Sequence, residues 1–398
     1  MMPRLGAPMM IRALRLLSVG CLVAASASPL EAQSVFNAAG LGVPSEALDG
    51  RSRAMGSMGI GLPGGAFMPT DPAALGRLAV ATGVVASQPS WVDFVADGGP
   101  SGSFQGNRFP LMGLAYPVFD GMVSFQVGSF LDQHYTDSRT GSVDLSTETV
   151  ATNDEFVQDG SVSNLNLGYA QQFGPDVSVG LTVGRYAGSI VRTLTRTFGD
   201  EIAADVNSYV ESGRWAYSGY HVTTGVSATL SDRYHLAASV QIPSDLDAEA
   251  QDDTDGSDRT FDLPVQYRAG LSATFGPVLV GTSAVLADWS STQDDLTGSV
   301  RAGSANGYGL GVEFSRARLW GRDAPLRFGY RRSTLPFSFD ADEVTERIYS
   351  GGVGLALNRT NNITLASVDL AVERGRRWAG GIAENFWRGT ISFQAAGF

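Results

Sequence analysis

Residues 265–275 read VQYRAGLSATF and divide into two rows with a period of two. Val265, Tyr267, Ala269, Leu271, Ala273 and Phe275 form an apolar row; Gln266, Arg268, Gly270, Ser272 and Thr274 form a polar or small one. Successive side chains of a strand point to opposite faces, so this spacing predicts a strand with one oily and one wet side. Residues 216–230 repeat it, with Ala216, Tyr220, Val222, Val226 and Leu230 against His221, Thr223, Gly225, Ser227 and Thr229. Fourteen segments of this kind can be marked between residues 78 and 396, separated by turn residues. Their connections alternate. Short ones fall at 119–120, 174–175, 231–232, 275–276, 320–323 and 358–361, and long ones at 89–109, 132–160, 194–212, 243–262, 290–303, 335–346 and 375–385. An even-stranded transmembrane antiparallel β-barrel produces that rhythm, with tight turns at one end and long loops at the other, whereas a soluble sandwich has no reason to keep it. The expectation is an all-β barrel of about 14 strands.

Composition agrees. The 398-residue chain has 49 glycines, 10% aromatic residues and no lysine, and its mean hydropathy is zero. Past the first 32 residues no apolar run reaches the roughly 18 residues a membrane helix needs, so any membrane passage is made by strands. A formal charge of −12 argues against nucleic acid as a partner. Residues 1–32 read as a secretory signal: Arg4, Arg12 and Arg15 precede the apolar run from Leu16 to Ala27, and Leu30-Glu31-Ala32 offers a cleavage site. Removal of Cys21 with the signal leaves no cysteine for a disulfide; a lipid anchor at Cys21 is disfavoured by Ser18 and by the short apolar run before it. The predicted location is the outer membrane of a Gram-negative cell, with both termini periplasmic. Trp91, Trp215, Trp289 and Trp387 at loop-side strand ends, and Phe119, Phe173 and Phe275 at turn-side ends, are expected to form two interfacial girdles. The last segment ends in phenylalanine, as chains recognised by the barrel-assembly machinery commonly do; Trp387, Ile391 and Phe393 share a face while Phe398 falls on the other, so either a bulge near Gly397 shifts the register or the terminal residue is a weaker signal.

Residues 51–78, RSRAMGSMGIGLPGGAFMPTDPAALGRL, break the alternation. Gly56, Gly59, Gly61, Gly64 and Gly65 permit tight folding and close approach of backbone to other walls. Lacking apolar periodicity, the stretch cannot build its own core and must be held by something larger. It resembles the opening of the FadL-type outer-membrane transporters of long-chain fatty acids and other hydrophobic compounds: Arg53, Met55, Gly56, Gly59 and Gly61 match, and Asp71-Pro72-Ala73 stands where that family has Asn-Pro-Ala. Further stretches are similar to the family in order along the chain, namely Asp288-Trp289-Ser290, Leu326-Arg327-Phe328-Gly329-Tyr330, and Val368-Asp369-Leu370-Ala371 followed by residues 374–377. The resemblance implies a signal over 1–32, a lumen hatch over 33–77 and a barrel over 78–398. It also implies passive uptake of a hydrophobic small molecule and release by hatch movement or by a lateral opening at a kink in the third strand, where Gly128 is the candidate. The expected partners are outer-membrane lipid and, during biogenesis, the barrel-assembly machinery, and a monomer is expected.

Alternation places Arg268, Glu313, Arg327, Arg331, Asp369, Glu373 and Arg388 on lumen faces. Arg327 or Arg331 could offer a guanidinium to a fatty-acid carboxylate. The blander reading, a self-neutralising lumen network that anchors the hatch together with Arg51 and Arg53, is favoured because buried charges are normally paired. Phe94, Phe104, Phe109, Leu111 and Met112 are candidates for apolar capture. The acidic loop 245–262, with Asp252, Asp253, Asp255 and Asp258, invites a calcium reading, but Gln251 falls where the first ligand of a twelve-residue hand is required, so a solvated loop is preferred. No metal or cofactor is expected, and no enzyme: His134, His221 and His235 are the three histidines, and no motif sets a serine beside a base. The rival from another class is a PorV-like barrel that serves as partner to a secretion or surface-attachment machinery. A polar porin ranks third, since a hatch would block it.

Overall fold

The computed structural model describes residues 34–145, 148–199, 207–252, 254, 256–296, 300–360 and 363–397. The proposed signal and Phe398 lie outside them, as do Asp253 and Asp255 of the acidic loop. Fourteen described strands close into an antiparallel barrel: β1 Thr82–Ala96, β2 Ser101–Val118, β3 Gly121–Asp132, β4 Glu148–Phe173, β5 Val177–Phe198, β6 Tyr209–Leu230, β7 Tyr234–Pro243, β8 Gln266–Phe275, β9 Val278–Asp288, β10 Ser304–Phe314, β11 Leu326–Thr334, β12 Thr345–Thr360, β13 Ile363–Ala379 and β14 Ile382–Ala396. Neighbours in sequence pair around the wall, and β14 closes it on β1, Val85 opposite Phe393. No edge is left along the closing seam, which removes the penalty of unpaired backbone groups in hydrocarbon.

The two rows lie as their chemistry requires. Tyr267, Leu271 and Phe275 are exposed on the outer wall at 55%, 41% and 51%, while Ser272 is 1% exposed on the inner one. Likewise Tyr220, Val222, Val226 and Leu230 face out, and His221, Thr223 and Ser227 face in. Tight turns at one end are made by left-handed backbone at Phe119, Gly174, Ser231, Asp232 and Gly276, the conformation whose twist matches two-residue hairpins.

At the other end the structure departs from expectation. Most of the connections expected to be long loops are strand. β1 runs on to Ala96 and β2 starts at Ser101, so the expected 89–109 loop is a hairpin extension. A separate strand, Tyr135–Leu145, pairs with the first half of β4 and raises it above the wall together with β5. Alternation was weak there because both faces of a projecting ribbon meet water, so neither needs an apolar row. The aromatic girdle is also thinner than expected: Trp91 and Trp387 are half exposed, but Trp289 is 2% exposed, tucked at 5.5 Å against Phe337, and Trp215 is half-buried. At the tight-turn end Phe119, Phe173 and Phe275 are exposed.

Residues 34–81 descend through the lumen. Ser34 meets Glu384, beside the long-connection end of β14, and Arg77 reaches the Asp176 carbonyl in a tight turn. The described residues therefore begin, at Ser34, at the barrel end opposite to the one where they finish. The cause is that the plug threads the lumen lengthwise before Thr82 joins the wall. Its regular structure comprises a short helix α1, Gly50–Ala54, capped by the Asp49 side chain on the Ser52 N–H at 2.7 Å, 3-10 turns at Val35–Ala38 and Pro72–Arg77, and a two-residue strand at Val43–Pro44.

Candidate lumen site and wall opening

Plug and wall meet backbone to backbone. A Cβ on Gly270 would fall 2.6 Å from the Gly61 Cα, and one on Gly309 would overlap the Gly56 carbonyl oxygen. Gly56, Gly59 and Gly61 themselves take φ of 59°, 79° and 83°, angles that cost a side chain-bearing residue energy. Glycines on both partners let two chains pack at a distance no other residue allows. Met55, 2% exposed, fills the gap beside Leu62, Met68 and Leu279.

Charges lock the contact. Arg327 on β11 holds Glu313 of β10 at 2.7 Å and Asp369 of β13, and Arg51 of the plug shares Glu313 at 3.1 Å. Arg331 holds Glu46 of the plug and Glu373 of β13 at 3.3 Å. Arg53 lies 3.7 Å from Glu46 and 3.9 Å from Glu373, and Arg388 completes the group at 3.5 Å from Glu373. Nearer the mouth, Arg377 binds Glu346 at 2.6 Å and Glu384 at 3.4 Å, and Glu384 also accepts the Val35 N–H at 2.6 Å. Arg327 and Arg331 are thus brought together with the plug, each between two carboxylates. Burial lowers the pKa of Arg53, opposed by Glu373. Asp71, 0% exposed, has no hydrogen bond of good geometry on either carboxylate oxygen, although the N–H groups of Gly61, Ala73 and Ala74 face it. Burial raises its pKa to about 7. Pro72 follows as the first residue of its turn, pressed against Gly180 of the wall.

Above the plug lies a cavity of about 140 Å³. Its floor is Glu46, Leu48, Arg53, Met58 and Thr70, and its walls include Phe130, Arg268, Val285, Trp289, Arg331 and Leu335. The wall beside it is interrupted. β2 and β3 pair from Val118–Gly121 only as far as Leu111–Gly128; beyond that β3 turns inward and pairs through Leu131 and Asp132 with Pro44 and Val43 of the plug. Residues 101–110 of β2 consequently have no strand neighbour on that side among the described residues. Gly128 is still in register, and the irregularity against β4 falls between Ser129 and Leu131. There Phe130 turns inward and stacks on Tyr186 at 4.3 Å. Two contacts cross the gap: Ser129 Oγ donates to the Phe109 carbonyl at 3.5 Å, and Arg108 lies 3.8 Å from Asp132.

The apolar capture candidates occupy three settings. Phe94 and Phe104 stack at 5.2 Å near the mouth and pack on the cluster of Val35 and Phe36. Phe109 and Met112 face outward, and Leu111 is fully buried beside Phe67 and Leu75 of the plug. Glu46, Arg108 and Asp132 were missed by sequence reasoning. Glu46 precedes any motif and Arg108 lies in a stretch expected to be loop; a basic residue three before the Leu111-Met112 pair was the one available signal. His221 and His235 are lumen residues, and His134 is clasped by Asp132 at 2.7 Å and Asp159 at 3.0 Å. In the acidic loop the Asp258 carboxylate accepts the Ala250 N–H at 2.8 Å.

A closed barrel with a threaded plug, a lumen cavity and a break in the pairing of two strands defines a class of β-barrel architecture. Among solved structures this chain is similar to a Pseudomonas aeruginosa FadL homologue (TM-score 0.64, 12% identity, covering 89% of this chain and 99% of that one). It is also similar to the Ralstonia pickettii toluene transporter TbuX (0.56, 13%, 89% and 99%) and to the CymD monoaromatic hydrocarbon channel (0.56, 15%, 90% and 98%). The chain has the FadL-type barrel fold. No protein-family model and no curated protein sequence matches it.

Proposed function

We propose that this chain is an outer-membrane channel for passive uptake of hydrophobic small molecules, with long-chain fatty acids and monoaromatic hydrocarbons as the substrate classes to try first. The observation that carries the reading is the gap between β2 and β3 beside a plugged cavity. A plug stops straight passage through the lumen, and a side exit lets an apolar solute move into the bilayer without crossing water. Capture starts at the mouth, where Phe94 and Phe104 stack and where Trp289, Phe337, Tyr217 and Phe261 form a larger apolar cluster. Similarity to a toluene transporter and to a hydrocarbon channel supports the substrate range. Arg327 and Arg331 serve a fatty-acid carboxylate only if they release a carboxylate they already hold.

Uptake of labelled oleate and of toluene by cells lacking their own transporter tests this. Phe109 and Ser129 are changed to cysteine and bridged across the gap, in a chain whose only other cysteine is Cys21. The expected result is uptake above empty cells that stops on oxidation and returns on reduction. In Arg327→Ala/Arg331→Ala, a selective fall in oleate uptake assigns them to the carboxylate, and unchanged uptake assigns them to the plug. A folded, surface-exposed barrel that takes up neither compound overturns the channel reading. The projecting ribbon of residues 135–145 with β4 and β5 favours, as second reading, a PorV-like partner of a secretion or surface-attachment machinery.

A further inference from the structure

We propose that the outer wall of β11–β14 carries a binding site for a phosphate-bearing lipid headgroup, at the membrane interface nearest the long connections. In the strand register Arg332 lies opposite Arg347, and Arg347 opposite Arg376. All three are exposed on the lipid-facing side. Arg374, two residues along β13, is exposed as well and stands between Tyr349 and Trp387. Like charges directly opposite on neighbouring strands repel, and a bilayer boundary screens them less than water does. None of the four has a carboxylate within ion-pair distance among the described residues, whereas exposed Arg139 and half-buried Arg196 lie 2.8 Å and 2.6 Å from Asp137 and Asp154. The same row continues Arg376–Asn385–Asp93, so the nearest acid along it is separated from the arginines by an amide. A fold that stacks uncompensated arginines on adjacent strands leaves their neutralisation to something outside the chain.

Aromatic rings set the guanidinium groups in place. Arg347 lies 5.0 Å and Arg376 5.9 Å from the Trp378 ring centre, and Arg374 lies 5.3 Å from that of Trp387. The hollow between them, about 410 Å³, is completed by Tyr349 and Asn385. Planar forks match phosphate oxygens two at a time. Trp and Tyr at this height mark the level of headgroups. Below, Val372, Ile391 and Phe328 remain exposed at 54%, 51% and 58%, an apolar wall on which acyl chains lie while the headgroup meets the arginines. That continuity selects a lipid over a soluble anion.

The proposal rests on the chain spanning a membrane and is independent of uptake. The test is native mass spectrometry of the purified full-length mature barrel in detergent with lipid A, dephosphorylated lipid A or inorganic phosphate. Arg347→Gln/Arg374→Gln/Arg376→Gln is the disabling variant, Arg376→Gln the milder one, and Arg185→Gln, an exposed arginine over Tyr220 on another wall, the control. Folding of each is checked by heat-modifiable gel mobility. The expected result is retention of lipid A by wild type and the control, with affinity lower by about tenfold for each arginine–phosphate contact removed. Equal retention by a folded variant, equal binding of the dephosphorylated lipid, or displacement of lipid A by equimolar inorganic phosphate overturns the proposal. A barrel that transports nothing yet passes this test refutes the channel reading alone.

Discussion

Asp71 is the residue at which the chain departs from the family it resembles, and the structure gives that departure a physical cost. Its carboxylate is enclosed without a well-formed hydrogen bond and titrates at about 7. The folded state therefore holds a proton that the unfolded chain, with its pKa near 3.8, gives up earlier. Between these values the native state binds more protons, so the contribution of this group is full below about pH 4 and is lost as the pH rises through 7. Asp71→Asn keeps the shape and removes the charge. It is expected to stabilise the protein at pH 8 by about 1–3 kcal/mol and to flatten the dependence of melting temperature on pH between 4 and 8. Melting curves of both proteins in detergent check this, and a wild type as stable at pH 8 as the variant would refute it.

At the scale of elements, the plug is held to the wall by glycine contacts and by ion pairs, and the two respond differently to mutation. Gly309→Ala places a methyl group where the Gly56 carbonyl oxygen now sits. Neither backbone can yield without shifting, so the cost is about 1–3 kcal/mol or more, and it falls on the plug because the β10 ladder is fixed on both sides. Trypsin is expected to cut the variant after Arg51 or Arg53 while the barrel stays resistant; a plug as protected as in wild type counts against this account. The glycines were legible as points of close approach. What they approach was not, since Gly270, Gly309 and Gly329 lie more than two hundred residues away in sequence.

For the whole molecule the argument concerns what fills the barrel. The cavity above the plug is small, about 140 Å³, so the lumen is occupied mainly by residues 34–81 and the charges that pin them. Deleting residues 33–77 is expected to convert a chain that conducts no ions across a planar bilayer into one with steady conductance. Equal conductance from both would show that the plug is not the barrier. Alternation foretold the wall well wherever one face meets lipid and the other the lumen. It failed at residues 89–109, where Val92, Phe94 and Phe104 pack inward near the mouth, and at 132–160, where a ribbon projects above the wall.

The chain by itself determined the barrel, its number of strands and the end bearing tight turns, because a period of two and left-handed turn residues are local signals. Tertiary structure alone decided that Arg327 and Arg331 are each shared between two carboxylates, that the plug enters from the long-connection end, and that the wall parts between β2 and β3. Those outcomes depend on distances between residues remote in sequence and on the competition between plug and β2 for the backbone of β3 at Leu131 and Asp132. Hydrogen-bond geometry settles that competition in the folded barrel, and no local pattern encodes it.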